Sequence, residues 1–172
     1  MPETDFGIMA PLFRASLLMK PATCSPRAWR VMRSAGSLTQ QLQRADAQFS
    51  VRVLREGISR LTRDERQALR CAALSGWVRE VSLCLDGVPV VWARSVTTQR
   101  AVRQAWRAVV GLGRRPLGEV LWQDPHVRRG GLSFARQPMA DGARLARRSC
   151  FWRQGQPLLV MEAFLPALQE FF

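Results

Sequence analysis

The sequence predicts an α+β fold whose sheet is built from antiparallel hairpins, and three observations carry that prediction. Asp86-Gly87 lies between two runs rich in β-branched and aromatic residues, Trp77–Leu85 and Val88–Val96, the pattern of a tight two-residue hairpin. The stretch Leu85-Asp86-Gly87-Val88-Pro89-Val90-Val91-Trp92-Ala93-Arg94 is echoed by Arg153-Gln154-Gly155-Gln156-Pro157-Leu158-Leu159-Val160-Met161-Glu162. Each has a turn glycine, a proline two positions later and an apolar run ending in a charge; shared turn chemistry accounts for this without duplication. The α component comes from helical spacing elsewhere, above all Val102, Ala105, Trp106 and Val109 within Thr98–Leu112.

Along the chain, residues 1–35 read as a loosely structured N-terminal segment, with Pro2, Pro11, Pro21 and Pro26 and a basic helical patch at Arg27–Arg33. The domain proper is expected over 36–172. Ser37 followed by Gln40 forms a capping-box pattern that opens a helix. Phe49–Arg55 alternates as a strand, and Thr62–Leu74 reads as a short polar helix with Asp64 and Glu65 in its first turn. After the first hairpin, Gly113 can close the amphipathic helix, and Pro116 suits the first position of another, Pro116–Trp122. Leu132–Gln137, Ser149–Arg153 and Leu158–Leu165 complete the strands.

Composition excludes several function classes. A chain of 172 residues, 47% hydrophobic, makes one compact domain with an ordinary core. Arginines interrupt every apolar stretch before the roughly 18 residues of a membrane helix, and Glu3, Asp5 and Arg14 spoil a signal-peptide pattern. A soluble, cytoplasmic protein is expected. The formal charge is +13, and Lys20 is the only lysine among 26 basic residues. The arginines are scattered and no nucleic-acid-binding signature accompanies them, so a solvated basic surface is favoured over nucleic-acid binding. Cys24, Cys71, Cys84 and Cys150 are too dispersed for a zinc site. His126, the only histidine, lies in a turn-like Asp124-Pro125-His126 segment. Gly111-Leu112-Gly113 lacks the context of a phosphate loop.

Three charges stand where apolar residues belong. With a two-residue turn at Asp86-Gly87, Leu83 faces Val90, Val81 faces Trp92 and Arg79 faces Arg94, which places both arginines on the apolar side of the hairpin. Facing like charges repel, and a buried guanidinium needs an anion. A carboxylate or escape to solvent satisfies it as well as a ligand does. In the second hairpin Glu162 shares a face with Leu158, Val160 and Phe164, opposite Arg147. A structural salt bridge is one outcome. The other is a cavity with two arginines and a carboxylate, suited to a small dianion with a proton to move. The helix starts at Leu38 and Leu117 add unpaired backbone N–H donors.

These features stand within a wider resemblance. Gly36-Ser37-Leu38-Thr39, Leu54-Arg55-Glu56-Gly57, Trp77-Val78-Arg79-Glu80-Val81, Pro116-Leu117-Gly118-Glu119, Arg147-Arg148-Ser149 and Pro157–Ala167 occur in the order found in the chorismate pyruvate-lyase family. The resemblance implies a single antiparallel sheet of about six strands, with helical excursions covering an internal ligand cavity. It implies elimination of pyruvate from chorismate to give 4-hydroxybenzoate, the opening step of the aromatic branch of ubiquinone synthesis, with no metal or organic cofactor. Arg79 matches the family's carboxylate clamp, Glu162 its acid/base or hydroxyl partner, and the backbone at Leu38 and Leu117 its remaining contacts; Arg94 matches an arginine associated with substrate handling. The expected partners are chorismate and 4-hydroxybenzoate, with no nucleic acid, no stable membrane insertion and a monomeric state. Two departures stand out: Ala93 replaces a glycine, which narrows the pocket, and Arg144-Leu145-Ala146 replaces Leu-Trp-Gly. The alternatives are a non-catalytic sensing domain, as in GntR-type regulators of similar fold, and a basic nucleic-acid binder. For the former, about thirty-five residues before the matched region leave no room for a winged-helix domain.

Overall fold

The computed structural model describes residues 20, 21 and 24–172. One antiparallel sheet of seven strands forms the frame: β1 (Phe49–Arg60), β2 (Ser75–Leu85), β3 (Val88–Thr98), β4 (Arg128–Arg129), β5 (Ser133–Gln137), β6 (Arg144–Arg153) and β7 (Gln156–Phe164). Their order is β1-β2-β3-β7-β6-β4, with β5 also pairing with β6. The two echoing hairpins, β2-β3 and β6-β7, therefore meet through β3 and β7 at the centre of the sheet. The strand beyond the expected six is the two-residue β4, too short for any alternation to announce it.

Both hairpin turns place their central residues at positive φ: Asp86 at 48° and Gly87 at 78°, Gln154 at 49° and Gly155 at 71°. That is the turn whose twist matches a two-residue hairpin. The second hairpin keeps the simple register, and Arg147 faces Glu162. The first does not. Its register shifts between Leu83 and Cys84, so that Cys84 pairs with Pro89 but Leu83 with Val91. Val90 is the extra residue of a β-bulge, and beyond it every side chain of β3 changes face. The expected facing of Arg79 by Arg94 is thereby corrected: Arg79 pairs with Ser95, and Arg94 with Glu80.

Among the described residues five α-helices pack around the sheet: α1 (Pro26–Arg33), α2 (Leu38–Gln43), α3 (Arg63–Leu69), α4 (Gln99–Arg103) and α5 (Leu117–Gln123). Sequence explains their starts. Ser25, Ser37, Thr62 and Thr98 each accept a backbone N–H of the first turn. The reciprocal capping box forms at Thr62 and Glu65, whereas at Ser37 it is the Gln41 amide that turns back to the Ser37 carbonyl. Pro116 sits at the N-cap of α5, one position before its expected place.

The long amphipathic helix expected over Thr98–Leu112 is broken. After α4 the Trp106 N–H reaches back to the Ala101 carbonyl, a 3₁₀ turn follows at Arg107–Val109, and Trp106 Nε1 donates to the Gln156 carbonyl. Burying that indole with a hydrogen-bond partner outweighs continuing a five-residue helix.

One face of the sheet carries two apolar clusters. The first joins Ala28, Val31 and Met32 of α1 and Leu38 and Leu42 of α2 to Val51, Val81, Leu83, Val91 and Phe164. The second joins α4 and α5 to Trp77, Phe151 and Leu158. On the other face Leu69 of α3, with Leu61 just before the helix, packs against Val78, Val96 and Leu159. Of the N-terminal segment read as loosely structured, residues 1–19, 22 and 23 lie outside the described residues. The rest includes α1, which belongs to the first cluster, and Ser25 Oγ donates to the Phe172 carbonyl. Among the described residues no helix is long and apolar enough to cross a membrane.

Candidate active site

A partly enclosed cavity of about 670 Å³, mouth included, lies between the two apolar clusters. Its floor is the sheet face bearing Arg79, Val81, Ala93, Ser95, Val160 and Glu162, and its roof is made by the starts of α2 and α5. Four predicted site residues are thus brought together: Leu38, Arg79, Leu117 and Glu162 all line it. Ala93 lies opposite Glu162 in the β3–β7 register, so its methyl group occupies the wall beside that carboxylate.

Two buried arginines hold the roof to the floor. Arg79, 2% exposed, forms an ion pair with Glu56 of β1 and donates through Nη2 to the carbonyls of Gly113 and Arg115, at 2.7 and 3.2 Å. Glu56 also accepts the Gly111 N–H, so this pair fixes the loop that delivers Leu117. Arg147, 1% exposed, donates through Nε to Glu162 at 2.6 Å and through Nη1 to the carbonyls of Met32 and Ser34, at 3.2 and 2.6 Å. It thereby fixes the segment that delivers Leu38. Arg79 and Arg147 hold corresponding places in the two hairpins, each eight residues before its turn glycine (87 − 79 and 155 − 147). Among the described residues nothing accepts from Arg79 Nε, and nothing donates to Glu162 Oε1. Both remain available in the wall.

The two helix starts touch. A Cβ on Gly118 would lie 2.6 Å from Thr39 Oγ1, so only glycine permits this approach. Thr39 is buried and has little freedom to yield. Gly118→Val is expected to destabilise the protein by about 1–3 kcal/mol through overpacking. That corresponds to a fall of roughly 3–10 °C in Tm, measurable by calorimetry.

Arg94 is not part of the cavity. The Val90 bulge turns it to the opposite face, where it pairs with Glu65 of α3 at 2.6 Å and with Glu80. Its role there is to join α3 to the sheet. The assignment of Arg94 to substrate contact is therefore corrected. Arg94→Met leaves two largely buried carboxylates without their cation, which costs about 3–5 kcal/mol. The expected result is a lower Tm with unchanged affinity of the cavity for small carboxylates, read by calorimetry and titration.

Sequence reasoning missed two residues. Glu56 was noted only as part of a motif, yet it orients Arg79. Arg129 was counted among scattered surface arginines, yet it lines the cavity. Its Nε donates to Ser149 Oγ at 2.9 Å and its Nη1 to the Ala35 carbonyl, while its guanidinium lies over the rings of Trp122 and Phe151. Burial, and the Arg147 charge beside it, push its pKa down, with Glu162 opposing. No signal short of the β4–β6 pairing could have placed it. The thiols have no part in this site: none lines the cavity, and burial raises Cys150 to about 11.

Comparison with known proteins places the chain in a family. The profile of the chorismate lyase family matches residues 17–171. The chain is 40% identical to a probable chorismate pyruvate-lyase of Bordetella pertussis over 174 aligned residues, covering 91% of each protein. It is 40% identical to that of an Azoarcus species, covering 88% of this chain and 90% of the relative. In fold it is similar to the effector domain of PhnF from Mycobacterium smegmatis, with a TM-score of 0.54 at 10% identity, covering 77% of this chain and 90% of that one. The possible transcriptional regulator YydK from Bacillus subtilis gives a TM-score of 0.53 at 13% identity, covering 74% of this chain and 62% of that one. With a family profile spanning nearly all of it and relatives this similar along their length, the chain belongs to the chorismate lyase family.

Proposed function

We propose that the protein eliminates pyruvate from chorismate to give 4-hydroxybenzoate, supplying the aromatic precursor of ubiquinone, without a metal or organic cofactor. The observation that carries this reading is the placing of Arg79 and Glu162 in one cavity wall, beneath the two helix starts. The probable chorismate pyruvate-lyases among its relatives support it.

The ring carboxylate is held by Arg79, through Nε and the guanidinium edge facing the cavity, together with the backbone N–H groups of Leu38 and Leu117. These donors sit at positive helix ends and lie ready before the ligand arrives, so little reorganisation opposes binding. Glu162 is the hydrogen-bond partner of the ring hydroxyl or the acceptor of the departing proton. Its Oε2 is held by Arg147, which fixes the direction in which Oε1 points.

In the reaction, the ring carbon bearing the hydroxyl loses its hydrogen as a proton. That C–H electron pair forms the last double bond of the aromatic ring as the neighbouring C–O ether bond breaks. The released enolpyruvate takes up a proton and becomes pyruvate. Aromatisation drives the step, so the protein's work is orientation and charge placement. The apolar wall of Val81, Leu83, Leu121 and Phe151 keeps water from the ring.

Incubation of purified protein with chorismate, with and without a chelator, tests this. Equal amounts of pyruvate and 4-hydroxybenzoate are expected in both cases. Binding of 4-hydroxybenzoate with no turnover of chorismate would leave a sensing pocket and contradict catalysis.

A further inference from the structure

We propose that Arg129 receives the second carboxylate of the substrate, the one on the enolpyruvyl side chain that leaves with the product pyruvate. The proposal rests on the lyase reading and deepens it.

Charge accounting in the cavity wall singles out this residue. Arg79 is neutralised by Glu56, and Arg147 by Glu162. Arg129 has no carboxylate within 4 Å among the described residues. Among the described residues it is the cavity arginine without an ion-pair partner. A ligand carboxylate placed on Arg79 and the helix starts gives Arg129 no direct partner; a second carboxylate on the same ligand does. Arg94, which the family resemblance associates with substrate handling, points into the opposite face with two glutamates of its own.

Geometry supports the same assignment. Ser149 Oγ and the Ala35 carbonyl hold two edges of the Arg129 guanidinium, and the Trp122 and Phe151 rings lie 5.7 and 5.5 Å from its central carbon. Aromatic stacking and these two bonds fix the plane in advance, so little rotamer freedom is lost on binding. Nη2 donates to no described residue and is left for an incoming oxygen. Trp122 is 43% exposed, so the guanidinium that lies over its ring sits near the protein surface. Burial and the Arg147 charge push the Arg129 pKa down with Glu162 opposing, and a bound carboxylate adds to the Glu162 side of that balance.

Because chorismate carries the side-chain carboxylate and 4-hydroxybenzoate does not, Arg129 separates recognition of the substrate from recognition of the aromatic product. Arg129→Gln and Arg129→Lys are to be compared with the unaltered protein by chorismate kinetics, by titration with 4-hydroxybenzoate and by thermal melting. For Arg129→Gln, kcat/KM for chorismate is expected to fall about 10²-fold, while Kd for 4-hydroxybenzoate changes less than about threefold. Arg129→Lys keeps the charge without the fork and should recover part of the loss, with a melting temperature close to that of the unaltered protein. Unchanged kcat/KM in Arg129→Gln would overturn the assignment. So would equal losses of chorismate turnover and 4-hydroxybenzoate affinity in both variants, since Arg129 would then serve only to hold the Ala35 segment. If the unaltered protein releases no pyruvate, the lyase reading itself fails and the role of Arg129 falls with it.

Discussion

Replacing Arg79 with methionine is expected to lower kcat/KM for chorismate by about 10³-fold and to weaken 4-hydroxybenzoate binding by a similar factor. Both species carry the ring carboxylate, so the loss is shared between substrate and product. Truncating one member of a desolvated charge pair costs about 2–5 kcal/mol, roughly 30- to 4,000-fold in affinity. Arg79 belongs in the upper part of that range because it has two tasks. It faces the ligand, and it ties the carbonyls of Gly113 and Arg115 to the sheet, so its removal also loosens the loop leading to Leu117. Arg79→Lys separates these tasks. A lysine supplies the charge but cannot reach Glu56, both carbonyls and a carboxylate at once. Affinity between that of the methionine variant and the unaltered protein is expected, measured by titration with 4-hydroxybenzoate.

Glu162→Gln should divide the kinetic constants differently. As the proton acceptor, Glu162 contributes about 10²–10⁴-fold to the rate. The glutamine variant is expected to lose that factor in kcat while binding 4-hydroxybenzoate within about tenfold of the unaltered protein. Electrostatics favours retained binding. Removing the carboxylate leaves Arg147 without its counter-charge and makes the cavity more attractive to an anion. Comparable losses in kcat and in affinity would instead assign Glu162 to holding the hydroxyl.

The second hairpin was legible in the sequence because nothing interrupts it. A Gln154-Gly155 turn and an unbroken ladder place Arg147 against Glu162 by counting alone. In the first hairpin the same counting fails at one residue. Val88-Pro89-Val90-Val91-Trp92-Ala93 is apolar at nearly every position, so a shift of one register costs little in hydrophobic pattern. Alternation cannot detect a bulge in such a run, and the error carried Arg94 to the wrong face. Arg79, on the unbulged strand, was unaffected.

The helix starts at Leu38 and Leu117 were readable from Ser37 and Pro116. That they meet over the cavity was not, because Gly118 against Thr39 is a contact between segments nearly eighty residues apart (118 − 39). Arg129 escaped for a related reason. It belongs to a two-residue strand, and in a chain with this many arginines a charge alone distinguishes nothing. What marks it is that no carboxylate among the described residues pairs with it, a property of its surroundings in space.

A crystal structure with 4-hydroxybenzoate bound tests the central claim most directly. The ring is expected between the two apolar clusters, its carboxylate on Arg79 and the backbone N–H groups of Leu38 and Leu117, and its hydroxyl on Glu162. A ring bound outside this cavity, or one reversed so that the hydroxyl meets Arg79, would contradict the account.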